Sequence, residues 1–154
     1  MIQGRKSIAD DGAIPIDEKV LAELMASIGI EDRAAQIEIF DLFFDTAPPL
    51  MDRVKLGAEA SAWEQVLADL HAFKGSCELF GADHLAQLCK GLERSITAGE
   101  IPGDMTAVIE IQAEFDRVMD FLRTKRATIS KSLESERSEG HPFTAPEAGT
   151  TEEK

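Results

Sequence analysis

Residues 70–82 read LHAFKGSCELFGA, and His71 is the group in this run whose type and surroundings could do chemistry. On a helix turning about 100° per residue, Lys74, Gly75 and Glu78 all fall within about 60° of His71. Val66, Leu70, Phe73, Cys77 and Phe80 form a separate apolar stripe, centred roughly 130° away. The pattern predicts an imidazole that points to water from a well-anchored helix. A neutral imidazole, with a free pKa of about 6.5, is a competent nucleophile. Lys74, one turn along, is a mobile cation able to neutralise an anion on the ring. Gly75 costs a helix interior about 1 kcal/mol relative to alanine, a cost that makes sense if the missing side chain lets something approach the ring closely. No triad is in view, because Ser76 and Cys77 point to the other side of the helix. An exposed nucleophile, a cation and a steric gap suit phosphoryl capture from a partner, which depends on positioning and charge neutralisation. From these residues alone, an ordinary surface histidine remains the competing reading. Of the other two histidines, His84 follows Asp83 in a first helical turn and reads as a solvated surface residue, and His141 lies in a polar tail.

The elements that must position His71 are helices throughout. Asp17 is a candidate N-cap for a short helix carrying Val20, Leu21, Leu24, Met25 and Ile28 and stopping at Gly29. Asp32 can cap a second helix bearing Ile37, Phe40, Phe43, Phe44 and Ala47; Pro48-Pro49 must then kink it, or end and restart it. Ser61 and Glu64 have the spacing of a capping box for the helix of His71, which stops at Gly81. Asp83 can cap a fourth helix with the stripe Leu85, Leu88, Cys89, Leu92 and Ile96. Pro102, Gly103 and Asp104 turn the chain into a last helix reaching about residue 128. No β alternation and no internal repeat is visible. Long helices joined by short loops pack antiparallel, so the expected fold is all-α: an up-down four-helix bundle with a short extra N-terminal helix. The expected division is a flexible N-terminus over 1–15, the bundle over 16–128 and a disordered acidic tail over 129–154.

The chain has 154 residues with a net charge of −13, which argues against nucleic acid and anionic membrane surfaces. Such acidity favours solubility and a partner with a basic rim. Cys77 and Cys89 sit on apolar stripes and read as buried free thiols of a reducing compartment. With no secretory start and no run of about 18 apolar residues, a soluble, cytoplasmic monomer is expected. His84 and Cys89 are five apart, off a shared helix face, so no metal site is expected.

The sequence resembles the histidine-containing phosphotransfer (HPt) domains of two-component phosphorelays. Their pattern is His-x-x-Lys-Gly, small residues, then Gly-Ala ten and eleven positions after the histidine. It is matched at His71, Lys74, Gly75, Ser76, Gly81 and Ala82, and continues into Leu85, Leu88, Cys89, Leu92 and Glu93. The segment DLFFDTAPP resembles the family's second helix, and the likeness spans roughly residues 17–125. Phe73 stands where an aliphatic residue is usual and Cys77 where serine or alanine is usual; both lie on the buried stripe and should alter packing more than chemistry. The resemblance implies an HPt-like bundle in which His71 accepts a phosphoryl group from a receiver-domain aspartate and passes it to another receiver. It implies that Lys74 holds phosphoryl oxygens, that Gly75 admits the receiver, and that Mg²⁺ comes from the receiver rather than from a cofactor of this chain.

Beyond the motif, the wheel places Leu67 and Ala68 on the exposed face one turn before His71, as a candidate docking patch, with Glu78 as a candidate selector of partners. Two other readings stay open: a non-catalytic helical adaptor, and the phosphoacceptor module of a larger histidine kinase. The usual kinase phosphoacceptor box continues with an acidic residue and a proline, whereas Ala72 and Lys74-Gly75 stand here.

Overall fold

The computed structural model describes residues 14–144, and among these every regular element is a helix. They are α1 (Glu18–Ile28), α2 (Arg33–Glu59), α3 (Trp63–Leu79), α4 (Asp83–Thr97) and α5 (Thr106–Thr144). Helix α2 packs on α3, α3 on α4, α4 on α5, and α5 back on α2, which closes the four-helix ring; α1 lies across α2 and α3. The expected all-α bundle with a short N-terminal helix is the observed fold.

The buried side of each helix is the stripe that periodicity assigns to it. Phe40, Val54, Val66, Leu70, Phe73, Cys77, Leu85, Cys89 and Ile111 are wholly buried. Aromatic contacts join the layers, with Phe43 on Phe80 at 4.8 Å between centroids and Phe73 on Phe115 at 5.1 Å. Cys77 and Cys89 are free and buried, and burial pushes both thiols well above the usual range. They are inert members of the core.

Pro48 and Pro49 neither end nor restart α2, which runs through both to Glu59. The prolines remove the donors that Phe44 and Asp45 would receive in a regular helix. Tertiary packing offsets that loss, since Ala47, Met51 and Val54 on either side are buried.

Two expected caps are absent, and the tight turns explain why. Asp17 and Asp32 cap α1 and α2 as expected, accepting from Val20 N and Ala35 N among others. The capping box at Ser61 and Glu64 does not form: Ala62 occupies the cap position and Ser61 has φ +56°. Ala62 N donates to Gly57 O at 2.8 Å, so the residue that closes α2 also opens α3. The α3–α4 turn repeats the device. Ala82 N donates to Cys77 O at 2.9 Å while Ala82 caps α4, which leaves Asp83 inside the helix instead of capping it. Gly81 is required here. Its φ is +82°, and a Cβ would lie 2.7 Å from Asp17 O, where α1 lands on the turn. The backbone bond Asp17 N to Gly81 O, 2.7 Å, fixes that landing.

The chain boundaries differ from those expected. Ile16, just before α1, is buried. At the other end α5 does not stop near 128; the stretch 129–144, expected as disordered tail, is helical. Ile129 packs against the core, and Arg33 Nη1 meets Glu136 Oε2 at 2.6 Å. These two contacts tie the stretch to the bundle, while residues 134–138 are exposed. The expectations for 1–13 and 145–154 lie outside the described residues.

Candidate functional site

Helix α3 is held on one side by α2 and on the other by α4, and His71 projects from its remaining face. On the α2 side, Arg53 Nη2 and Gln65 Nε2 donate to the buried Asp69 at 3.1 and 3.3 Å, two residues before His71. On the α4 side the tie is made at the site itself. Lys74 Nζ donates to Glu93 Oε1 at 2.8 Å, and Glu93 Oε2 lies 3.5 Å from His71 Nδ1.

The His71 side chain is 78% exposed, whereas those of Lys74 and Glu93 are each 15% exposed. Nδ1 faces the Glu93 carboxylate, so a neutral ring that keeps its proton there leaves its lone pair on Nε2. The hydrogen bond to Glu93 holds the Lys74 ammonium above its usual pKa. Lys74 is therefore a pinned cation, where the sequence suggests a mobile one. Glu78 remains exposed on the same face, and the Lys74 ammonium bonds Glu93 across the helices rather than Glu78 on its own helix.

Gly75 is exposed, and a Cβ there would meet nothing within 4 Å. Nothing in the chain's own packing calls for glycine, so its helix cost is unaccounted for inside the fold. An object outside the fold would account for it.

The structure gathers His71, Lys74, Gly75 and Glu78 on one face as the spacing predicts. It does not place Leu67 with them as an exposed group. Leu67 is half-buried against the core, seven residues before Lys74 and thus on the α4-facing side. Ala68 is exposed as expected, and Ala72 and the 51%-exposed Leu79 extend its apolar strip.

Glu93 is the site residue that the helical wheel of α3 could not supply, since it comes from another helix. The sequence signal was its place after the Leu85, Leu88, Leu92 stripe, at the edge of the face that α4 turns to α3. Among the described residues, no group of three or more His, Cys, Asp or Glu is placed to hold a metal ion, and no helix is long and apolar enough to cross a membrane.

The molecule is thus a four-helix bundle presenting an exposed histidine backed by a lysine and an acid. The Hpt domain model matches residues 38–121, more than half of the chain, and the protein belongs to the Hpt domain family. The fold is similar to the crystal structure of histidine-containing phosphotransfer protein B from Pseudomonas aeruginosa PAO1. That match has a TM-score of 0.67 and 25% sequence identity, and covers 76% of this chain and 98% of that one. No curated protein sequence is matched. Membership carries a phosphotransfer role in two-component signalling and interaction with receiver domains.

Proposed function

We propose that His71 Nε2 accepts the phosphoryl group of a receiver aspartyl phosphate and returns it to the aspartate of a second receiver. The observation that carries this reading is the ring's orientation: 78% exposed, with Nδ1 turned to Glu93 at 3.5 Å. In the forward step the Nε2 lone pair attacks phosphorus, the bond from phosphorus to the aspartyl oxygen breaks, and the aspartate leaves as a carboxylate. Nδ1 keeps its proton throughout. The ring becomes cationic as the P–N bond forms, and Glu93 is already in place to stabilise that charge.

Lys74, pinned beside the ring, stabilises the phosphoryl oxygens, and Gly75 leaves clearance for the receiver's active site. Mg²⁺ belongs to the receiver, so this chain contributes a nucleophile and a docking surface. Ala68, Ala72 and Leu79 form the apolar part of that surface and Glu78 selects among receivers. Leu67 contributes by packing beneath it.

The test is to mix the protein with a phosphorylated receiver and Mg²⁺ and follow label onto the chain. Acid-labile, base-stable label that is lost in His71→Gln is expected; label unaffected by that change would overturn the reading. For Glu78, unchanged transfer rates of Glu78→Ala to every receiver tried would remove the selector role.

A further inference from the structure

His84 and Glu114 lie apart from the His71 face, and phosphorelay through His71 makes no use of them. The sequence reads His84 as a solvated surface residue. Its side chain is indeed 57% exposed, but Nδ1 is turned to within 3.4 Å of Glu114 Oε2 on α5. Glu114 is only 6% exposed. Arg117 Nη1 donates to its Oε1 at 3.0 Å, while Oε2 has no hydrogen-bond partner. A buried carboxylate oxygen left over in this way is costly unless another group answers it, and a neutral His84 ring can face it with its Nδ1–H.

The arrangement repeats that at His71, one helix further round the ring. In each case an exposed imidazole directs Nδ1 at a carboxylate on the next helix, at 3.5 Å for Glu93 and 3.4 Å for Glu114. In each, a cation holds the carboxylate's other oxygen, Lys74 at 2.8 Å and Arg117 at 3.0 Å. In each the side chain is otherwise open to solvent, 78% exposed at His71 and 57% at His84. What differs is the helix surface: three and four residues beyond His84 stand Gln87 and Leu88, where Lys74 and Gly75 follow His71. The second site thus has neither the lysine nor the clearance that a receiver's active site calls for.

We infer that His84 is a second phosphoryl-acceptor site, open on Nε2 to small-molecule phosphoryl donors and positioned by Glu114. With phosphoramidate as donor, the Nε2 lone pair attacks phosphorus and the donor's P–N bond breaks. Ammonia leaves with the protons its nitrogen already carries. Nδ1 keeps its proton, and the positive charge gained by the ring faces the Glu114 carboxylate. His84 keeps this role whatever partner His71 serves.

The experiment incubates full-length chain with phosphoramidate and maps label by mass spectrometry and ³¹P NMR at neutral pH. His71→Gln removes the first site; the doubles H71Q/H84Q and H71Q/E114Q are compared with it. H71Q is expected to take label on His84, H71Q/H84Q to lack it, and H71Q/E114Q to be slower by about tenfold or more. Absence of label on His84 in H71Q would overturn the inference, and so would equal rates in H71Q and a folded H71Q/E114Q. If E114Q does not fold, the H84Q comparison decides. Label on His71 of the unaltered chain is read in the same spectra, so failure at His84 is distinguishable from failure at His71.

Discussion

Nδ1 of His71 faces Oε2 of Glu93 at 3.5 Å, while most of the ring stands in water. The contact spans two helices and turns Nδ1, rather than Nε2, to the carboxylate. Glu93 also holds Lys74 through its other oxygen at 2.8 Å, so one carboxylate touches both the imidazole and the ammonium. Separating the charge of Glu93 from its shape tests this directly. Glu93→Gln should slow phosphoryl transfer from a receiver by about tenfold or more, because the ring loses the anion that faces its developing charge. Transfer kinetics with a radiolabelled receiver check it, with circular dichroism to show that the bundle is intact.

Gly75 separates stability from access. Gly75→Ala meets no atom of the chain, so the variant should gain up to about 1 kcal/mol in urea unfolding from helix propensity alone. Transfer from a receiver should nonetheless fall, by about tenfold, if the added methyl misplaces the approaching active site. Labelling of His71 by phosphoramidate, which needs no protein approach, should change little.

Acid should weaken the α2–α5 seam in a defined window. Arg126 donates to both Asp41 oxygens, at 2.7 and 3.0 Å, and this pairing holds the Asp41 carboxyl below its usual 3.8. A lowered folded-state pKa means that the contribution is present above 3.8 and is lost as pH falls through the still lower folded value. The pair is partly exposed, so its size is at most about 1 kcal/mol. The difference in melting temperature between the unaltered protein and Asp41→Asn should be visible at neutral pH, shrink as pH falls below 3.8 and vanish only below the still lower folded-state value.

The length of α5 has a measurable consequence. A chain ending at residue 128 loses Ile129 from the core edge and Glu136 from Arg33, and should be less stable by about 1–3 kcal/mol. His71 lies on the α3–α4 side, so labelling of the truncated protein at that residue should be retained. Urea unfolding and phosphoramidate labelling of the two chain lengths measure both halves.

Much of this was legible in the sequence because it is periodic. Val66, Leu70, Phe73 and Cys77 recur at helical spacing and are all buried, which by itself turns His71, Lys74, Gly75 and Glu78 outward. The positions hardest to read were those governed by another element. Leu67 falls on the exposed side of a wheel, yet neighbouring packing half-buries it. Ser61 and Asp83 have the types of caps, yet each link is so tight that the residue closing one helix opens the next. Residues 129–144 look too polar to fold, yet the helix continues through them, touching the bundle at Ile129 and through Glu136 on Arg33.

The order and inward faces of the helices, and the histidine, lysine and glycine on one face, follow from spacing within single segments. Such information is local and survives in one dimension. Packing between helices decided that Glu93 backs His71, that Lys74 is pinned and that Glu114 waits behind His84. Those pairings join residues far apart in the chain. Their distances are set by how helices lie against one another, which no periodicity within a single helix records.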